Sequence, residues 1–143
     1  ACLLHDVSWR AHPDFRAETC FDYATRSTLG GLSHSERVFL GLALLHRYRN
    51  KRDASRLEPM ISLLTSDDKK EAEVLGKAMR LGAMLWANPD DETAKLDWAT
   101  KKKMLSLTLT AEAEPLFGEV AEERFHSLAE ALGASANLDI KLT

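Results

Sequence analysis

His5 and Asp6 are adjacent in the stretch ACLLHDVSWRAHPDFRAE, residues 1–18. An imidazole beside a carboxylate is, by type, half of a metal centre. Neighbouring residues on a helix project about 100° apart, yet two such side chains can still converge on one ion. A catalytic metal needs at least three protein ligands and an open position for water. The pair is therefore incomplete by itself, and its plainer reading is a polar pair at a helix end, bonded to its neighbours. A third ligand would have to come from His12, His34 or His46.

The second chemistry-bearing stretch is HRYRNKR, residues 46–52, with Arg56 beyond it. His46 and Arg49 share a helix face at i, i+3, and Arg52 and Arg56 extend it if the helix persists. Two readings compete. Basic residues at a helix C-terminus compensate the helix dipole and need no ligand. Alternatively His46, Arg47, Arg49, Lys51 and Arg52 form a phosphate-binding rim, because guanidinium forks engage phosphate oxygens bidentately and lysine adds a point charge. His34 falls in a helix-cap region and His126 on an amphipathic helix, and both read as bland. Lys101, Lys102 and Lys103 read as a solvated hairpin tip that also protects a sheet edge. Trp9, Trp86 and Trp98 are most simply packing residues. No Gly-rich phosphate loop followed by Lys-Ser/Thr occurs, and no Gly-x-Ser-x-Gly elbow.

The elements that must position these residues follow from periodicity and punctuation. Residues 1–9 read as the end of a helix, with Leu3, Leu4 and Val7 on one face, broken by Pro13. A helix over 14–28 places Phe15, Cys20, Phe21, Tyr23 and Ala24 near its core face, and Gly30-Gly31 turns the chain. Ser33 and Glu36 have the spacing of a capping box. The helix they start, 34–49, is apolar around more than half its circumference and so should be central. After a polar connection, 50–56, a short helix is expected over 57–65. Thr65-Ser66-Asp67-Asp68 then opens a long helix reaching about Ala87, where Asn88-Pro89 ends it. From there alternation replaces helical periodicity. A β-hairpin turns at 99–102, with Leu105, Leu107 and Leu109 on one face. A helix over 113–132 carries Leu116, Val120, Phe125 (or Phe117), Leu128 and Leu132, with Gly133 at C′. A closing strand alternates Leu138, Ile140 and Leu142. The fold class is thus α+β, mostly α: a helical bundle over 1–90 followed by a small ββαβ subdomain over 91–143, which is marginal alone and expected to dock on the helical part.

Bulk properties bound the function. The 143 residues have 45% hydrophobic and 29% charged side chains, an ordinary globular balance. No apolar run approaches the ~20 residues of a membrane span, and no signal peptide is visible. Without an initiator Met, position 1 reads as a cut through a longer protein. Cys2 and Cys20 do not make a disulfide framework or a zinc ribbon; each reads as a buried free thiol, suiting a cytoplasmic location. The net charge of −3 is uneven: residues 1–56 hold nine Lys/Arg against six Asp/Glu, residues 57–143 ten against sixteen. That asymmetry suggests one anion-facing surface, not a chain that binds nucleic acid along its length, so no specific nucleic-acid partner is expected.

The combination of Leu4-His5-Asp6-Val7, then His46-Arg47-Tyr48-Arg49 ending the central helix, Arg80-Leu81-Gly82 in the long helix, and the ββαβ tail resembles the C-terminal part of the exopolyphosphatase / guanosine pentaphosphate phosphatase family, over essentially the whole chain. The resemblance implies an HD-phosphohydrolase-like helical domain, truncated at its N-terminus, followed by a small α/β subdomain. It places catalysis, with Mg²⁺ and water, in two N-terminal actin-like domains absent from this chain, so that no catalytic residue and no cofactor are expected here. The late Asp of the HD pattern should fall after Arg80. Leu81-Gly82-Ala83-Met84-Leu85-Trp86 offers Ala83 and Trp86 instead, so His5 and Asp6 read as a remnant metal pair, which Asp90 and Asp91 would rescue only through an unusual loop. The resemblance also sets Arg10, His12 and Arg16 beside the 46–52 stretch, giving one polyanion-binding rim. The expected partners are polyphosphate or guanosine pentaphosphate, the N-terminal actin-like domains and a second copy in a homodimer, with no membrane. Two rivals are an active HD-type metal-dependent nucleotide phosphohydrolase and a purely structural dimerisation domain.

Overall fold

The computed structural model describes residues 1–49, 56–86 and 93–141. The fold is α+β, mostly α, in two compact units, Ala1–Met79 and Arg80–Thr143. The division falls within the long helix α4, Ser66–Leu85. The boundary expected at 90/91 and the stop at Asn88-Pro89 lie outside the described residues.

In the first unit the opening residues do not form the α-helix expected over 1–9. A 3-10 turn, Cys2–Leu4, leads into further tight turns as far as Arg10. The carbonyl of Cys2, which an α-helix would offer to the N–H of Asp6, instead accepts the N–H of His5 and, at 2.6 Å, the His5 ring nitrogen Nδ1. A side chain competing for its own backbone acceptor in this way diverts the chain from the helical ladder. Pro13 opens a second 3-10 turn, Pro13–Phe15, and α1 follows as Arg16–Arg26. Its buried face is Ala17, Cys20, Phe21 and Ala24; Phe15 and Tyr23 are exposed, contrary to expectation.

Helix α2, His34–Tyr48, starts with the expected capping box: the Ser33 N–H donates to Glu36 Oε2 at 2.7 Å, and the Glu36 N–H to Ser33 Oγ at 3.3 Å. Seven consecutive or near-consecutive positions between Val38 and His46 are buried, as a central helix requires. It packs on α1. Gly41 allows the close approach, since a Cβ there would lie 3.0 Å from the Phe21 ring. The short helix α3 is Glu58–Ile61. Thr65 and Asp68 cap α4 reciprocally, with Thr65 N–H on Asp68 Oδ2 at 3.0 Å and Asp68 N–H on Thr65 Oγ1 at 3.1 Å. At Gly76 a Cβ would meet the Ala43 carbonyl oxygen and His46 Cβ, so α4 lies backbone-close to α2.

In the second unit β1 (Ala94–Ala99) and β2 (Met104–Thr110) are antiparallel and joined through a 3-10 turn at Thr100–Lys102. Lys103 closes the turn in the left-handed region, φ 46°. Helix α5, Glu119–Ala131, carries the chain across to β3 (Ser135–Lys141), which pairs parallel to β2 as a crossover permits. The expected ββαβ order is present, with sheet order β1-β2-β3. Helix α5 begins later than position 113, because Pro115 sits in a 3-10 turn, Glu114–Leu116, and Gly118 is the N-cap. Its buried stripe is Ala121, Phe125, Leu128 and Ala129, while Val120 is exposed. Gly133, φ 63°, ends it in a Schellman motif: Ala134 N–H donates to Ala129 O and Gly133 N–H to Glu130 O. On β2, buried Leu105, Leu107 and Leu109 alternate with half-buried neighbours. Leu142 lies outside the described residues.

Candidate polyanion-binding site

The two stretches with chemical potential meet at the C-terminal end of α2. Tyr48 Oη donates to the His5 carbonyl, tying the opening turns to that helix end. Arg49, the C-cap of α2, has extended backbone, so α2 stops at Tyr48. Its guanidinium turns back: Nη2 donates to the Asp14 carbonyl at 2.9 Å and Nη1 to Glu18 Oε1 at 3.4 Å. Arg56 takes the other Glu18 oxygen, Oε2, at 2.9 Å, and lies 3.5 Å from Asp22. Its hydrogen bond to Glu18 and the charge of Asp22 hold its pKa above the ordinary arginine value.

The remaining candidates divide by what they already touch. Arg16 donates from Nε to the Ala11 carbonyl (3.1 Å) and from Nη2 to the Trp9 carbonyl (3.0 Å), folding residues 9–11 over the start of α1. His12 is exposed, accepts the Asp14 N–H at 3.4 Å and stands 3.4 Å from the Asp14 carboxylate. His46 is only 6% exposed and lies where α4 passes closest, so it belongs to the helix interface. Arg10 is exposed and stacks over the Trp9 ring at 4.8 Å. Arg47 is half-buried over the Tyr48 ring at 5.1 Å. Neither Arg10 nor Arg47 pairs with a carboxylate among the described residues. Lys51 and Arg52 lie outside the described residues, as do Asp90 and Asp91.

A polar cluster that sequence reasoning missed lies beneath this junction. Ser8 is buried and places Oγ 3.0 Å from Cys20 Sγ. Burial pushes the Cys20 thiol up, against the hydrogen bond from Ser8 and the charge of Arg47. Burial also pushes the Tyr48 phenol up, with Cys20 adding to it. Asp6 and Arg47 act on both groups with opposite sign, which places both near the cluster. Raised values make poor nucleophiles at neutral pH, so Cys20 and Tyr48 serve packing and anchoring. Their only advance signal was the coincidence of Ser8, Cys20 and Tyr48 on three apolar faces. Cys2, expected to be buried, is exposed, as are Trp9 and Trp98.

The donor set does not fit a metal centre. His5 Nδ1 is turned onto the Cys2 carbonyl, and among the described residues no three His, Cys, Asp or Glu side chains converge where an ion could be held. Ala83 is exposed and supplies no donor. No helix among the described residues is long and apolar enough to cross a membrane. What the junction offers chemically is positive charge, on Arg10 and Arg47, carried by a helix end and by turns hydrogen-bonded to it.

Residues 1–138 match the family described as exopolyphosphatase, C-terminal, and the chain belongs to that family. No curated protein matches it.

Proposed function

We propose that this member of the exopolyphosphatase C-terminal family is the polyanion-holding part of a longer cytoplasmic phosphatase. That enzyme removes terminal phosphate from polyphosphate or guanosine pentaphosphate. The hydrolytic step belongs to actin-like domains outside this chain, where Mg²⁺ supports attack by water on the terminal phosphorus; residues 1–143 supply no catalytic group.

The observation that carries the reading is the junction itself. Tyr48 to His5, and Arg49 to Asp14, bind the turn segment bearing Arg10 to the helix end bearing Arg47. Arg16 and Arg49 shape this platform through carbonyls and Glu18, leaving Arg10 and Arg47 to engage phosphate oxygens. His12 is exposed on the same turn segment, and Lys51 and Arg52 follow in sequence. Holding a long chain far from the cleaved end raises the local concentration of its terminus at the catalytic domains and so favours repeated cleavage.

The test is equilibrium binding of a polyphosphate of defined length to the chain across a salt series. Replacing Arg10 and Arg47 together by Gln should weaken binding by roughly tenfold and make the salt dependence shallower by up to about two counterions, as for other polyanions. Equal affinity and slope for the double variant and the parent would sink the proposal. Released phosphate from the isolated chain would sink the assignment of catalysis elsewhere.

A further inference from the structure

Two aromatic rings face solvent on the turn segment that carries Arg10. Trp9 is 57% exposed and Phe15 is 63% exposed. One exposed ring on a surface is ordinary. These two are held together. The Arg16 guanidinium, from the residue after Phe15, donates to the Trp9 carbonyl at 3.0 Å, so both rings start from backbone within reach of one arginine side chain. Arg49 fastens the same segment to the end of α2 through the Asp14 carbonyl.

Each ring has a cationic or heteroaromatic companion. Arg10 lies over the Trp9 ring at 4.8 Å, and Trp9 keeps more than half of its surface in spite of it. The His12 ring stands 6.2 Å from that of Phe15, tilted by 58°. Between the rings the sequence is Arg-Ala-His-Pro-Asp. A lipid or an apolar protein face would be met by long aliphatic side chains there, and the stretch has none. Asp14 is its one carboxylate, set against Arg10 and against Arg16, whose bonds to carbonyls leave its charge intact. Arg47 adds charge from the end of α2. Flat rings interleaved with guanidinium groups match a ligand that is itself a chain of flat rings and anions. Every nucleobase has a π face, so stacking on such a platform tolerates any sequence, while arginine takes the backbone phosphates or stacks in its own right. Inorganic polyphosphate can use only the cations of this surface and gives the rings nothing to stack.

We propose that the Trp9–Phe15 segment binds single-stranded nucleic acid without sequence preference. Bases stack on Trp9 and Phe15, while Arg10 and Arg47 take backbone phosphates. The inference borrows its cations from the polyanion reading above, but it stands on the two rings, which nucleic acid needs and polyphosphate does not.

Fluorescence anisotropy of a labelled oligothymidylate of about a dozen nucleotides tests it, beside an abasic deoxyribose-phosphate strand of the same length. The two strands carry the same charge, so their difference reads the bases alone. The whole chain should hold the oligothymidylate at least about fivefold tighter than the abasic strand. Trp9→Ala and Phe15→Ala should each weaken oligothymidylate binding by about fivefold. Neither should change the affinity for the abasic strand or for polyphosphate. Trp9→Phe should recover part of the loss, and Arg10→Gln should weaken all three ligands. Both rings are largely exposed, and circular dichroism would show the variants folded. Equal affinity for the two strands overturns the proposal. So does oligothymidylate binding indifferent to both ring variants, or ring variants that weaken polyphosphate binding as much. If the rings prove indifferent while R10Q/R47Q still weakens polyphosphate binding, this inference falls and the polyanion reading stands. If R10Q/R47Q leaves polyphosphate binding unchanged while the ring variants lose the oligothymidylate, the reverse holds.

Discussion

The helical unit buries its central helix, whereas the sheet unit leaves large apolar side chains exposed on its edge strands. In the first, α2 is buried along most of its length between neighbours that approach to backbone contact, at Gly41 against Phe21 and at Gly76 against Ala43. In the second, among the described residues, α5 and the last turn of α4, Arg80–Leu85, accompany three strands. A helix is about 10 Å across, while three strands at about 4.8 Å spacing present a broader surface. The central β2 therefore buries Leu105, Leu107 and Leu109, while Trp98 on β1 and Leu138 and Ile140 on β3 stay 40–41% exposed. The consequence is that the first unit has little tolerance for added volume, and the second has apolar surface to offer.

The largest effect that would sharpen this contrast is loss of a core ring. Phe21→Ala should cost about 4 kcal/mol in urea unfolding, while Ile140→Ala at the sheet edge should cost well under about 1 kcal/mol; comparable losses would break the distinction. Next come two glycines on the same helix. Gly76→Ala has no room and should destabilise by about 2 kcal/mol through overpacking. Among the described residues Gly82→Ala meets only Trp86, at 3.7 Å, and should stabilise by up to about 1 kcal/mol from helix propensity. If both move in the same direction, the close approach at Gly76 is not what limits the first unit.

Smaller still are the caps. Ser33→Ala and Thr65→Ala should each cost about 1 kcal/mol. The bonds from Ser33 lower the Glu36 pKa, and those from Thr65 lower that of Asp68. A carboxylate whose folded pKa is depressed stabilises above its unfolded value and loses that contribution as pH falls through the folded one. The parent should thus lose stability on acidification below the ordinary values of 4.5 for Glu36 and 3.8 for Asp68. The two cap variants should lose less over the same window, and a parallel acid response in parent and variants would argue against the capping geometry. The smallest expected effect is none: chelator should leave the melting temperature unchanged, and elemental analysis after chelator-free purification should find no stoichiometric manganese, iron or zinc. Near-stoichiometric metal would return His5 and Asp6 to the status of a live site.

Local signals were readable where one or two neighbouring residues decide the outcome. The Ser33–Glu36 box, the Thr65–Asp68 helix start, Gly133 at C′ and the alternation of Leu105, Leu107 and Leu109 each concern groups within a few positions of one another. The start of α5 was misjudged because Val120 and Leu116 continue a helical pattern that Pro115 and Gly118 interrupt. Phe15 and Tyr23 match the period of the α1 core face, but burial depends on which side a neighbour occupies, and both stay exposed. At the candidate site the residue types were legible and their occupations were not. Arg10, Arg16, Arg47 and Arg49 look alike in sequence, yet Arg16 and Arg49 serve backbone carbonyls and Arg10 and Arg47 stack on aromatic rings.

By itself the sequence determined the fold class, the order of elements from α1 onward, the family and the sign of charge near the end of α2. These depend on periodicity, on turn chemistry and on composition, all short-range or additive along the chain. The tertiary structure alone decided which cations are engaged, that His46 lies inside a helix interface, and that Ser8, Cys20 and Tyr48 form one cluster. Each of these joins residues far apart in the chain. Hydrogen bonds act over about 3 Å, and nothing in linear spacing tells which distant groups the packing will bring within that reach.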